Sequence, residues 1–223
     1  FGKKLFKLIM ILTIFYMFIF LCAEMTAISM LVNYISGTQL WLTATLVIVT
    51  ALTYTLYGGL RASILTDNLQ FFIVIILLFI SAYYLFSLNY NYISFGYLQT
   101  NSSHLLSGKY LPNYTAGLTF FIAVAATNLF HQGNWQRVFA AKNDKVLKKS
   151  LLFSFIIIIP IVFFMGVSGL FAVSLDNKVN PDLAFFSILL KDNTKFLSVI
   201  VIILAVSLTI STIDTLVNAI SSI

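Results

Sequence analysis

The chain has 223 residues, 60% hydrophobic and 9% charged, with a net charge of +6 and a mean hydropathy of +1.00. Soluble domains hold about 45–50% apolar residues, so this composition excludes a water-soluble domain and points to a bilayer. The apolar residues fall in runs of spanning-helix length, about 20 residues, and not in strand-length alternation, which argues against an outer-membrane barrel. Backbone groups in lipid then require helices, so the expected class is all-α, a polytopic transmembrane helix bundle.

Six spanning segments are predicted, near 5–34, 39–58, 62–87, 116–133, 150–175 and 195–223, forming one transmembrane domain over residues 1–223. Lys3, Lys4 and Lys7 open the first, which is too long for a signal peptide. A chain that starts at Phe1 and stops at Ile223 within an apolar helix pattern reads as a fragment of a longer protein. The connections alternate in charge. Lys3, Lys4, Lys7, Arg61, Arg137, Lys142, Lys145, Lys148 and Lys149 fall on one side, and Lys109, Lys178, Lys191 and Lys195 on the other. Basic loops stay in the cytoplasm, which places the N-terminus inside an integral membrane protein, read as one of the bacterial inner membrane. The net charge is thus an orientation signal, and it carries no nucleic-acid footprint. Between Asn89 and Tyr114 an outer loop is expected, polar without being charged. Pro181–Lys191 reads as a short helix on or in the outer face, either a lid or a plain connector. The single cysteine, Cys22, fits no disulfide or paired metal spacing.

Glu24, Asp67 and Asp214 lie within the spanning segments. An acid at mid-membrane costs about 2.5–3.5 kcal/mol on insertion scales and is by default a functional-site candidate. Asp67 stands six residues past Arg61, about 9 Å into the membrane; Ser211 stands sixteen past Lys195, about 24 Å down from the opposite face. Two helices running in opposite directions therefore deliver polar groups to one depth. On the sixth segment Ser207, Ser211, Asp214, Thr215, Asn218 and Ser222 recur at intervals of three and four, one helical face. A stripe of hydroxyl and carboxylate oxygens suits a hard, partly dehydrated cation; the alternative is a packing stripe whose hydroxyls bond their own backbone. The opposite face, with Leu208, Ile213, Leu216, Val217 and Ile220, suits lipid or packing. Glu24 falls near the outer boundary, where snorkelling or a salt bridge competes with a transport role.

The fourth segment carries Thr127, Asn128, His131, Gln132, Gly133 and Asn134 after a short apolar run. A polar, glycine-containing break at membrane depth is tolerated where it lines a cavity, and broken helices form the usual solute sites of secondary transporters. The alternative is that the helix ends here with His131 at an interface. A lone histidine gives no case for a metal site.

At Tyr54–Gln70, YTLYGGLRASILTDNLQ, the chain resembles the sodium:solute symporter family, whose members carry a similar Gly-Gly turn followed by Thr-Asp and Gln. Gln136–Lys142, QRVFAAK, looks like that family's cytoplasmic turn, and Ser211–Ser222, STIDTLVNAISS, like its ion-site helix. The resemblance implies the leucine-transporter-type inverted-repeat fold, of which this fragment would supply core helices three to eight. It further implies Ser211 and Thr212 as side-chain ligands of the principal sodium site, with the Leu208 carbonyl as a third, Leu208 standing where a smaller residue is usual. Members with a second sodium site build it from an acid like Asp67 and hydroxyls like Ser211 and Thr215. Position 214 is Asp here where those members have Ser. Two converging carboxylates call for a cation between them or a proton on one, so a second Na+, or a proton, is expected between Asp67 and Asp214.

The function expected is sodium-coupled symport of a small polar solute by alternating access, with Asn128, His131 and Gln132 as solute contacts and no enzymatic activity. An amino acid, organic acid, urea-like amide or sugar fits equally. Two other classes stay open: the same membrane module fused to a signalling domain, acting as a sensor, and an intramembrane enzyme with an Asp67–Asp214 dyad.

Overall fold

The computed structural model describes residues 2–88, 95–175, 180–191 and 194–223, and every regular element among them is helical. Helix α1 (Lys3–Ser36) ends where Gly37 adopts φ 72°, a left-handed cap whose N–H donates to the Asn33 carbonyl at 2.7 Å. Helix α2 (Leu40–Tyr83) holds both the second and the third predicted segments and is interrupted at Gly59, with φ 57° and ψ −152°. A π turn (Tyr84–Leu88) extends it. Then come α3 (Phe95–Asn101), a 3-10 turn (Ser103–Leu106), α4 (Leu111–Phe130) and α5 (Gln132–Phe139). Helix α6 (Asp144–Leu175), a 3-10 turn (Pro181–Leu183), α7 (Ala184–Leu189) and α8 (Lys195–Ser221) complete the chain. Among the described residues, four stretches are long and apolar enough to cross a membrane: Lys3–Ser36, Leu40–Ser87, Asp144–Ser174 and Lys195–Ser221. The protein is an all-α membrane protein.

Two compact units make up the chain. The first comprises Phe1–Phe79, Asn128–Arg137 and Lys195–Ile223. Within it α1 packs along α8, burying Met17 against Leu216 and Ala219, with Tyr16, Phe20, Leu21 and Ile220 around them. Of the apolar face read on α8, Ile213, Leu216 and Val217 are buried, whereas Leu208 is exposed. Burial of this kind leaves the polar stripe of α8 facing inward as well, because Asp214, Thr215 and Asn218 are also buried.

The second unit comprises Ile80–Thr127 and Val138–Thr194. Its core gathers Leu85, Phe171, Ala172 and Ile188, with Phe164, Val167 and Ala184 against them. The Pro181–Lys191 stretch is helical as expected, and Ile188 and Leu189 bury it against α6. Asn180 caps its start by accepting the Asp182 N–H at 3.0 Å. The stretch read as an outer loop departs from expectation: residues 89–94 lie outside the described residues, but 95–106 form α3 and the 3-10 turn. Phe95 stacks edge-on to Phe171 with centroids 5.8 Å apart and Leu98 is fully buried, so two apolar anchors fold an otherwise polar segment onto α6. Lys178 also lies outside the described residues.

Candidate ion and solute site

The first unit closes around the carboxylate of Asp214. No part of Asp214 is exposed. Tyr54 donates its phenol proton to Oδ2 at 3.0 Å, and Ser63 donates to Oδ1 at 3.0 Å. Thr66 Oγ1 stands 3.1 Å from Oδ2, and Thr215 Oγ1 3.3 Å from Oδ1. In a straight helix Tyr54 and Ser63 would be about 13 Å apart along the axis, too far to share one carboxylate. The interruption at Gly59 brings them together. Its positive φ is open to glycine without strain, and a Cβ on neighbouring Gly58 would collide with the Ala62 side chain. The Gly-Gly pair thus permits both the turn and the close approach after it.

Asp67, one residue beyond Thr66, faces the same stretch of α8. Ser211 donates to Asp67 Oδ1 at 2.5 Å. Arg137 Nη2 forms an ion pair with Asp67 Oδ2 and donates to Thr215 Oγ1 at 2.6 Å. Thr215 Oγ1 also lies 2.8 Å from the Ser211 carbonyl. Asp67, Ser211, Thr215 and Asp214 are therefore linked in one run of contacts, with Arg137 as its cation. Thr212 Oγ1 donates to the Leu208 carbonyl at 3.2 Å, which holds those two oxygens side by side on α8. A cavity of about 450 Å³ opens here, lined among others by Asp67 and Gln70 of α2 and by Ser207, Ser211 and Thr212 of α8. Gln70 Oε1 is buried beside it without a hydrogen-bond partner among the described residues.

The polar break predicted in the fourth segment is present. Helix α4 stops at Phe130, His131 is non-helical, and α5 starts at Gln132. His131 is buried, packs edge-on to Phe20 with centroids 5.9 Å apart, and leaves Nδ1 without a hydrogen-bond partner among the described residues. Asn128 is exposed and accepts from Asn134 Nδ2 at 2.7 Å, tying the end of α4 to α5. Gln132 is half-buried at the start of α5. A Cβ on Gly133 would run into the Thr215 methyl and stand 3.1 Å from the His131 ring, so the break is pressed against the oxygen cluster. Glu24 takes part in none of the hydrogen bonds of that cluster and is half-buried on α1.

Four participants were not singled out from the sequence: Arg137, Tyr54, Ser63 and Thr66. Arg137 entered among the basic residues that orient the chain and within the QRVFAAK stretch of the resemblance, in both cases as part of a cytoplasmic turn and without a role at the site. The interval between Gln136 and Arg137 and the polar break held the missing signal, since α5 has room for two turns and points both residues back at α8. Gln136 Nε2 lies 2.6 Å from Ser222 Oγ and 3.5 Å from the Asn218 carbonyl.

The model of the sodium:solute symporter family matches residues 1–223. Among curated relatives, the spermidine transporter DUR31 of Candida albicans (strain SC5314 / ATCC MYA-2876) is 30% identical over 209 residues, which is 92% of this chain and 39% of that protein. The chain therefore spans about two-fifths of the length of this relative. No solved structure matches it. With a family match over its whole length, an all-helical membrane fold and a partly buried polar cluster where α2 and α8 meet, the chain belongs to the sodium:solute symporter family.

Proposed function

We propose that this chain forms the ion-binding part of a sodium-coupled symporter that moves a small polar organic solute by alternating access. One observation carries the reading: Asp67, Ser211, Thr215 and Asp214, drawn from two helices distant in sequence, meet in one partly enclosed cluster of oxygens. Oxygen ligands in that number suit a hard monovalent cation, and buried carboxylates are too costly to keep without a charge or proton to offset them. The principal sodium site would use the hydroxyls of Ser211 and Thr212 and the carbonyl of Leu208, of which the last two already lie together. The second cation, Na+ or a proton, would be held between Asp67 and Asp214.

The unpartnered Nδ1 of His131 supports a solute contact at the break, with Asn128 and Gln132 on either side of it. The relative named for spermidine adds polyamines to the amino acids, organic acids, amides and sugars that the polar side chains allow. Ion binding would favour one of two bundle states, and the sodium gradient would then drive the solute uphill.

A sodium titration of thermal stability in the intact protein, repeated with a panel of polar solutes, tests this. Sodium at ten times its dissociation constant should stabilise the protein by about 1.4 kcal/mol. Potassium should not reproduce the effect, and Asp67→Asn and Asp214→Asn should each weaken it. Equal stabilisation by sodium in wild type and both variants would refute the assignment.

A further inference from the structure

Arg137 is the residue that this functional reading does not absorb. It sits in the second turn of α5, six residues after the break at His131, and its Nη2 contacts both Asp67 Oδ2 and Thr215 Oγ1. Those two oxygens, together with Ser211 Oγ on the other side of Asp67, are the ones a small cation at Asp67 would bridge. The guanidinium therefore occupies the seat.

We propose that Arg137 is a tethered counter-cation for Asp67 and that sodium takes the Asp67–Ser211–Thr215 seat only when the guanidinium leaves it. The proposal rests on the sodium-coupled reading above and goes beyond it in naming what competes with the ion. Two positive charges within hydrogen-bond reach of one carboxylate repel each other strongly when partly shielded from water, so one excludes the other. Vacating the seat is possible because the pair is not sealed: the side chains of Arg137 and Asp67 are 31% and 22% exposed, and Asp67 also faces the cavity between α2 and α8. Ser211 needs no rearrangement to receive an ion. Its proton already goes to Asp67, leaving its lone pairs free.

Exchange at this seat also has a mechanical consequence. Arg137 joins α5 to α2 and to α8, and Gln136 beside it joins α5 to Ser222, just past the end of α8. Releasing the guanidinium removes one of these two neighbouring ties and frees the segment that follows the solute break. Arg137 is thus a positioning residue: it acts on the ion through Asp67 and on the break through α5.

The test is a sodium titration of the intact protein, read by thermal stability and by binding of radioactive sodium, in wild type, Arg137→Gln, Arg137→Lys and the double variant Asp67→Asn/Arg137→Gln. Removing the competing charge should lower the half-saturating sodium concentration at least threefold in Arg137→Gln. Lysine keeps the charge and should stay near wild type, and the double variant should lose the gain. An unchanged or raised half-saturating concentration in Arg137→Gln overturns the proposal. Should Arg137→Gln fail to fold, Arg137→Lys decides against Arg137→Met in the same titration, with tighter sodium binding in the methionine variant as the supporting result and equal binding as the refuting one. Wild-type protein that binds no sodium would overturn the coupled reading itself, whereas wild-type binding with no shift in the variants would sink only the role of Arg137.

Discussion

Ser211 gives its hydroxyl proton to Asp67 at 2.5 Å across 144 residues of sequence. A hydrogen bond to a charged group contributes about 1.5–3 kcal/mol, and here the same hydroxyl is a proposed ion ligand. Ser211→Ala removes both. The sodium concentration for half-maximal solute uptake should rise by about tenfold or more, with the unfolding temperature falling by only a few degrees. Uptake measured in vesicles against external sodium checks the first part; an unchanged sodium dependence would separate Ser211 from the ion.

Asp214 accepts from Tyr54 and Ser63 on opposite oxygens. Replacing it by alanine strands the buried Ser63 hydroxyl and the half-buried Tyr54 phenol, at about 1–3 kcal/mol for a buried group, and leaves a cavity besides. Asp214→Ala should therefore lose far more stability than Asp214→Asn, whose amide keeps one acceptor. Thermal unfolding in detergent gives the comparison. Equal losses would show that neither the retained acceptor nor the side-chain volume sets stability at this position.

Gly59 holds φ 57° at the interruption of α2. Alanine there pays about 1–3 kcal/mol for a positive-φ, extended-ψ backbone that is essentially confined to glycine, and relief of that strain moves Tyr54 away from Ser63. Gly59→Ala should lower both stability and sodium response, while Gly117→Ala in α4, where a Cβ meets nothing within 4 Å, should change the sodium response little. Parallel sodium titrations of the two variants test this. A sodium response in Gly59→Ala as strong as in wild type would mean that the turn does not set the site.

Gly133 permits the close approach of the break to Thr215. A methyl group at this position overpacks a tight contact, at about 1–3 kcal/mol, and pushes on the hydroxyl that Arg137 and Asp214 share. Gly133→Ala should therefore disturb sodium and solute dependence together. Titrating uptake with each separately would expose a defect confined to one of them, which this geometry does not allow.

Much of this architecture was legible from periodicity and charge. The three- and four-residue recurrence on α8 identified its polar face, and counting residues inward from Arg61 and Lys195 brought Asp67 and Ser211 to one depth, where the structure has them bonded. The break around His131 was readable because Asn, Gln, Gly and His in succession cannot continue a lipid-facing helix. The helical fold of 95–106 was not readable, since its composition is that of a loop and the ring that Phe95 packs on, Phe171, is distant in sequence.

The sequence by itself determined that the chain is helical and membrane-embedded, and which faces carry oxygen, because helical period and the cost of polar groups in lipid act locally. Tertiary structure alone decided which charge Asp67 would meet and that Tyr54 and Ser63 would share Asp214. Those pairings depend on the turn at Gly59 and on the two-turn reach of α5, and the partners of a long side chain are set by where its helix is carried, not by its place in the chain.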